Sequence, residues 1–123
     1  SVLQNYRADK NRVYLTGASM GGFGTWYFAS KYPEKFAAIL PVVGYPSLEQ
    51  AEAVARAGIP AWVFSGGRDP AVQTEYFFAG MNKMNELGAV MRFTTEQDMF
   101  HDVWNRVYAG EDVYNWLLQY KKR

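Results

Sequence analysis

The chain has 123 residues, of which 49% are hydrophobic and 17% aromatic, a composition that predicts one globular domain over residues 1–123. The net charge of +1 gives no electrostatic attraction to nucleic acid or to an anionic membrane, and no apolar run approaches the roughly 20 residues of a membrane span. The absence of cysteine excludes disulfides, thiol catalysis and thiolate-bound metal, but it leaves the compartment open, with secretion and the periplasm included.

Short apolar runs alternate with helical stretches along the chain, a pattern that predicts β/α units on a parallel sheet. The first run, 12–16, is a predicted strand, and after a glycine-rich turn it is followed by a helix that ends before Pro33. The second strand is expected over 37–43. Ser47 and Gln50 then have the spacing of a capping box, which marks the start of a second helix.

The second half of the chain repeats this order. A third strand is expected over 61–65, followed by a loop and by a helix that stops at Gly88. The fourth strand is expected near 90–95, and two polar residues within it place that strand at an edge of the sheet. A last helix is predicted from about Gly110. Ligands of such sheets lie beyond the carboxyl ends of the strands, so residues directly after a strand are the first site candidates.

The stretch "GASMGGFG", residues 17–24, follows the first predicted strand and places Ser19 among four glycines. A P-loop would need lysine where Phe23 stands, and a dinucleotide fingerprint would need glycine where Tyr27 stands, so neither phosphate-binding motif fits well. The pattern G-x-S-x-G fits, and a strand before it with a helix after it is the context of a nucleophile elbow. The alternative is an ordinary turn serine with no chemical role.

A nucleophile elbow makes definite structural demands. The serine adopts a strained backbone conformation that exposes its hydroxyl, and the backbone N–H of Met20 can donate to a developing oxyanion. Gly17 and Gly21 are expected because side chains on either side of the serine would clash. Gly22 and Gly24 are expected to let the helix lie close to the sheet.

The partners of the serine are sought among residues that follow the other strands. A serine hydroxyl needs a base, and His101, the single histidine, follows the fourth predicted strand. Asp69, in the loop after the third strand, is the candidate acid that orients the imidazole. Asp98 and Asp102 are its rivals, but they lie so close to His101 in sequence that we expect them to share its loop without reaching the outer ring nitrogen.

With these residues the chain resembles the α/β-hydrolase superfamily, and within it bacterial esterases of the polyhydroxybutyrate-depolymerase and phospholipase/carboxylesterase-like branch. The resembling segments are "ADKNRVYLTGASMGGFGTWYFASKYPEKFAAILPVVG", "PAWVFSGGRDPAV" and "FHDVWNRVYAGEDVYNWLLQYKKR". The resemblance implies ester hydrolysis through an acyl-enzyme, with Ser19 as nucleophile, Asp69 as acid and His101 as base. It implies neither a metal nor an organic cofactor.

The resemblance covers only part of the superfamily's fold, namely its last four strands with their helices. The predicted fold class is therefore α/β, the C-terminal half of an α/β-hydrolase, with about four parallel strands flanked by helices. The chain begins with Ser1 rather than methionine, and we expect it to be the catalytic portion of a larger enzyme whose earlier loop donates the second oxyanion N–H. The first strand would then offer an open edge to an N-terminal half or to a second copy.

The substrate would be a small-molecule or polymer ester, and the sequence does not distinguish acetyl, feruloyl, short-chain or polyester groups. Tyr45, just past the second strand, and Trp104, just past His101, are the candidate pocket residues. The alternative functions are a serine peptidase of the same fold and a catalytically silent interaction fragment. Most aromatic residues are expected in the core, among them Trp26, Phe28, Trp62, Phe64, Phe77 and Trp116.

Overall fold

The computed structural model describes residues 13–121, which form one sheet of four parallel strands flanked by helices. Each strand pairs with the next one in the chain, so the order across the sheet is β1-β2-β3-β4. Because all pairs are parallel, the carboxyl ends of the four strands lie along the same edge. The predicted fold class is confirmed. The strands are β1 (Tyr14–Ala18), β2 (Ala38–Val42), β3 (Ala61–Gly66) and β4 (Met91–Glu96).

Five α-helices connect or follow these strands within the described part of the chain. The predicted capping box is confirmed, since the Gln50 N–H donates to Ser47 Oγ at 3.1 Å and the Ser47 N–H donates to Gln50 Oε1 at 3.0 Å. None of the helices in residues 13–121 has the length and apolar character needed to cross a membrane. The helices are α1 (Met20–Lys31), α2 (Leu48–Arg56), α3 (Phe78–Glu86), α4 (Trp104–Ala109) and α5 (Asp112–Leu118), with 3-10 turns at Pro33–Lys35 and Thr74–Phe77.

The strands differ in burial as their sequences suggest. All residues of β2 and β3 are buried, whereas β4 is largely half-exposed at one edge, as predicted. The first strand begins two residues later than expected, at Tyr14. It also ends two residues later, because pairing with β2 continues into the glycine-rich turn as far as Ala18 opposite Val42. Position 12 lies outside the described residues. That an N-terminal half or a second copy pairs along β1 stays a prediction, as does the single domain over residues 1–123.

The aromatic core matches the expectation with one exception. Phe28 is 48% exposed, so its predicted core position is wrong. The reason is helical geometry, because α1 turns the face containing Gly22, Trp26 and Ala29 towards the sheet, and Phe28 lies away from that face. The expected core aromatics that are buried are Trp26, Trp62, Phe64, Phe77 and Trp116.

Candidate active site

Ser19 lies in the sharp turn between β1 and α1. Its backbone has φ 57° and ψ −116°, a conformation that a residue with a side chain rarely adopts. Its N–H donates to the carbonyl of Val42 at 2.9 Å, which fixes the turn to the end of β2. A serine at a helix N-terminus usually caps the helix with its side chain, but Ser19 makes no such bond. Its Oγ lies 2.7 Å from Nε2 of His101 instead.

Only some of the glycines around Ser19 are needed for the reason given from the sequence. A Cβ on Gly17 would overlap the carbonyl of Gly21, and a Cβ on Gly22 would overlap the carbonyl of Val42, so both positions require glycine. Among residues 13–121, no atom of another element lies within 4 Å of a Cβ built on Gly21 or on Gly24. The expectation that Gly21 avoids a clash and that Gly24 allows close packing is therefore wrong.

His101 lies in the loop between β4 and α4, where it bonds to Ser19 and Asp69 at the same time. Its Nδ1 is 2.6 Å from Oδ2 of Asp69, while Nε2 faces the Ser19 hydroxyl. The imidazole is 36% exposed, whereas the Asp69 side chain is fully buried. An imidazole held this way accepts a proton on the exposed side and has a carboxylate on the buried side to stabilise the resulting charge.

Asp69 is fixed by its own loop as well as by His101. Its Oδ1 accepts hydrogen bonds from the N–H groups of Ala71 at 2.9 Å and Val72 at 3.0 Å. Burial raises the pKa of Asp69, but hydrogen bonds from the two backbone N–H groups and from His101 outweigh it, so the pKa lies below its ordinary value of 3.8. The carboxylate therefore stays ionised at neutral pH.

Two glycines bring the loops of Asp69 and His101 together. A Cβ on Gly66 would overlap the carbonyl of Phe100, and a Cβ on Gly67 would lie 2.7 Å from the Cα of Gln97. The Arg68 N–H donates to the Met99 carbonyl at 2.9 Å. These backbone contacts set the distance between the two loops and bring the carboxylate within reach of the imidazole.

The two rival carboxylates, Asp98 and Asp102, are exposed on the loop that carries His101. Asp98 is exposed and is held by Arg106, whose two terminal nitrogens each donate to one of its oxygens at 2.8 Å. Hydrogen bonding to Arg106 lowers the pKa of Asp98 from 3.8 to about 2. Asp102 is exposed in the histidine loop. Arg106 was not singled out in the sequence, because α4 itself was not predicted.

The other residues predicted for the site are Met20, Trp104 and Tyr45. As the first residue of α1, Met20 has an N–H without a carbonyl partner within its own helix. The Trp104 ring stands edge-on to the His101 ring, with centroids 5.6 Å apart. Tyr45 packs instead against Phe23, one helical turn beyond Ser19, at 5.0 Å. Within residues 13–121, no group of three His, Cys, Asp or Glu side chains is arranged to hold a metal ion.

The lowered pKa of Asp69 predicts how stability depends on pH. A carboxylate whose pKa is lower in the folded than in the unfolded chain stabilises the fold above the unfolded value, and this contribution is lost as the pH falls through the folded value. We expect the free energy of unfolding, measured by urea denaturation, to fall as the pH drops below about 3.8, and to fall less in Asp69→Asn. Asp102→Asn, an exposed aspartate in the neighbouring loop, is the control, and an unchanged pH dependence in Asp69→Asn would contradict the prediction.

The sheet order and the strand-turn-helix geometry at Ser19 define the α/β-hydrolase class. A solved structure of a thermostable esterase is 32% identical to this chain and superposes with a TM-score of 0.85, covering 98% of this chain and 34% of that one. The resemblance found in the sequence is thereby confirmed at the level of the fold.

Residues 1–117 match the Esterase family, described as "Putative esterase", and the chain belongs to this family. It is 45% identical over 42 residues to poly(3-hydroxyalkanoate) depolymerase C of Paucimonas lemoignei, which is 34% of this chain and 10% of that protein. It is 41% identical over 46 residues to acetylxylan esterase A of Emericella nidulans, which is 37% of this chain and 15% of that protein. The matched region is thus a small part of each of these relatives.

Proposed function

We propose that this chain carries the catalytic residues of a serine esterase, which hydrolyses carboxylic esters through an acyl-enzyme intermediate. The observation that carries the proposal is the pair of short contacts through one imidazole, 2.7 Å from Ser19 Oγ to His101 Nε2 and 2.6 Å from His101 Nδ1 to Asp69 Oδ2. Membership of the esterase family supports an ester rather than another acyl compound as substrate.

The first half of the reaction forms the acyl-enzyme. Ser19 Oγ attacks the carbonyl carbon of the ester while Nε2 of His101 takes the hydroxyl proton. Asp69 keeps the other ring proton on Nδ1 and stabilises the imidazolium that forms. When the tetrahedral intermediate collapses, the bond to the alcohol oxygen breaks, and the proton on Nε2 passes to the leaving alcohol.

The second half releases the acid and restores the enzyme. Water takes the place of the alcohol, gives a proton to Nε2 of His101 and attacks the acyl carbon. The second tetrahedral intermediate then breaks at the bond to Ser19 Oγ, which recovers its proton from the imidazole. In both halves the Met20 N–H and the positive end of the α1 dipole stabilise the oxyanion, and a second donor would come from another part of the enzyme.

The proposed substrate is a small-molecule or polymer ester. The names of two relatives refer to a polyester and to acetylated xylan, so both small acyl groups and polymer chains fall within the proposal. Trp104, in contact with the His101 ring, is the proposed wall of the substrate site nearest the base, and Tyr45, packed on Phe23 of α1, the proposed wall nearest the elbow helix. A serine peptidase would use the same three side chains, and the family membership favours the esterase.

A fluorophosphonate probe tests the proposed function directly. Incubated with the full-length protein, the probe is expected to phosphonylate Ser19, which peptide mass spectrometry will locate. His101→Ala should abolish labelling, because no base then takes the hydroxyl proton. Ser30→Ala, in the last turn of α1, should label like the wild type. A wild-type protein that stays unlabelled at Ser19 would overturn the esterase proposal and favour a catalytically silent fragment.

A further inference from the structure

One arginine bonds to the end of β4 and to the first part of the loop that carries His101. Arg106, on α4, donates to both carboxylate oxygens of Asp98 at 2.8 Å each and to Oε1 of Glu96 at 3.0 Å. Glu96 is the last residue of β4, and Asp98 lies two residues into the loop. We call this group of three side chains, Arg106, Asp98 and Glu96, the Arg106 clamp.

Besides the Arg106 clamp, the loop from residue 97 to 103 is held by backbone contacts, since Gly66 lies against Phe100 and Gly67 against Gln97. The N–H of Met99 donates to the Glu96 carbonyl at 3.0 Å, and the Met99 carbonyl accepts from Arg68 at 2.9 Å. At the far end, Val103 is fully buried. His101 itself is partly exposed, yet its ring must satisfy two contacts shorter than 2.8 Å at once. Its position therefore depends on how firmly the loop is held.

The far end of α4 is held separately from the clamp. The hydroxyl of Tyr108 lies 2.7 Å from Oγ1 of Thr16, and that oxygen donates to the Leu40 carbonyl at 2.6 Å. The hydroxyl of Tyr114 donates to the Tyr108 carbonyl at 3.0 Å. These contacts join α4 to β1 and α5 without involving the loop. Loss of the clamp would thus leave α4 docked and loosen the segment before it.

We propose that Arg106 is a positioning residue, which holds the histidine loop so that the imidazole reaches Ser19 and Asp69 together. This inference rests on the proposed esterase function. A guanidinium is suited to the task because its planar fork matches a carboxylate at two points and fixes direction as well as distance. Exposed ion pairs contribute little to global stability, so the clamp acts on the geometry of the loop more than on the folding of the chain.

The clamp is expected to stay charged wherever esterase activity is measured. Its hydrogen bonds lower the pKa of Asp98 to about 2 and raise the pKa of Arg106, so neither group changes its charge near neutral pH. The Glu96 carboxylate is also paired with Arg106, at 3.0 Å, and adds a second negative charge to the clamp. The effect of removing the clamp should therefore be the same across the neutral pH range.

The test is made on the full-length protein with Arg106→Gln. We expect kcat and the fluorophosphonate labelling rate to fall roughly 10-fold, because displacements of the order of 1 Å in a catalytic group are costly, while KM changes by less than about twofold. Arg106→Lys should recover part of the loss, since an ammonium can bond to Asp98 but not in the two-point geometry. The matched control is Arg56→Gln, which breaks the exposed pair with Glu52 on α2 and should leave all three quantities unchanged.

A second measurement tests the role of the Arg106 clamp independently of enzyme activity. The His101 Nδ1 proton, short-bonded to Asp69, should give a far-downfield NMR signal, assigned by its loss in His101→Gln, and Arg106→Gln should broaden it through exchange with water. If Arg106→Gln is labelled at the wild-type rate and its NMR signal is unchanged, the proposed positioning role of Arg106 is wrong. Equal losses of kcat and labelling rate in Arg106→Gln and Arg56→Gln would also contradict it. If the wild type itself fails to label, the esterase proposal fails, and the NMR comparison still decides whether Arg106 positions the ring.

Discussion

Ser19→Ala and Ser19→Gly are each expected to lower kcat for a carboxylic ester about 10⁶-fold, the order of loss when a serine hydrolase loses its nucleophile. Both variants remove the oxygen that lies 2.7 Å from His101. Binding of the ester should persist, since neither change fills the site. Burst and steady-state kinetics with a chromogenic ester measure the loss, and a variant that retains a tenth of the activity would contradict the role of Ser19.

The same two variants separate chemistry from backbone strain. In a helix, glycine is about 1 kcal/mol less favourable than alanine, so Ser30→Gly in α1 should be less stable than Ser30→Ala. At Ser19 we expect the opposite order, with Ser19→Gly about 1 kcal/mol more stable than Ser19→Ala, because glycine adopts a positive φ more easily than alanine does. The observed φ of 57° is the basis for this reversal. Chemical denaturation of the four variants measures it, and a Ser19→Gly variant less stable than Ser19→Ala would show that the turn holds no strain.

The sequence was sufficient to select three side chains that the fold brings together. Ser19, Asp69 and the segment around His101 each come after a predicted strand, and the parallel arrangement places the carboxyl ends of β1, β3 and β4 along one edge. The pattern of apolar runs therefore indicated that these residues, distant in the sequence, lie at the same edge of the sheet. The glycines Gly66 and Gly67 were visible in the sequence, but their effect depends on the loop that packs against them. No property of glycine alone indicates which neighbour will approach it.

The features that were missed depend on tertiary contacts. Helix α4 is six residues long, has no side-chain cap at Val103, and buries only Val107, so its sequence carries a weak helical signal. A spacing of four between the buried Val103 and Val107 was the available indication. Without that helix, the bonds from Arg106 to Asp98 and Glu96, which cross a loop, had no basis in sequence. Phe28 was misplaced because α1 carries large apolar residues around most of its circumference.

Asp69→Asn is expected to lower kcat about 10⁴-fold, the order of loss when an amide replaces the orienting carboxylate in serine proteases. The amide oxygen can still accept from the N–H groups of Ala71 and Val72, so the loop should keep its form. The amide NH₂ then faces the inner ring nitrogen of His101 and donates to it. That arrangement favours the tautomer with its proton on Nε2, which cannot accept the proton of Ser19.

Variants of the two rival carboxylates complete this test. Asp102→Asn should leave kcat within about twofold of the wild type, since Asp102 is exposed and its charge is not required to orient the ring. Asp98→Asn should cost no more than about 10-fold, because it weakens the Arg106 clamp without touching the imidazole. The three losses should therefore fall in the order Asp69, Asp98, Asp102. If Asp102→Asn were the most damaging, the histidine loop would have to fold back so that its own carboxylate replaced Asp69 as the partner of His101.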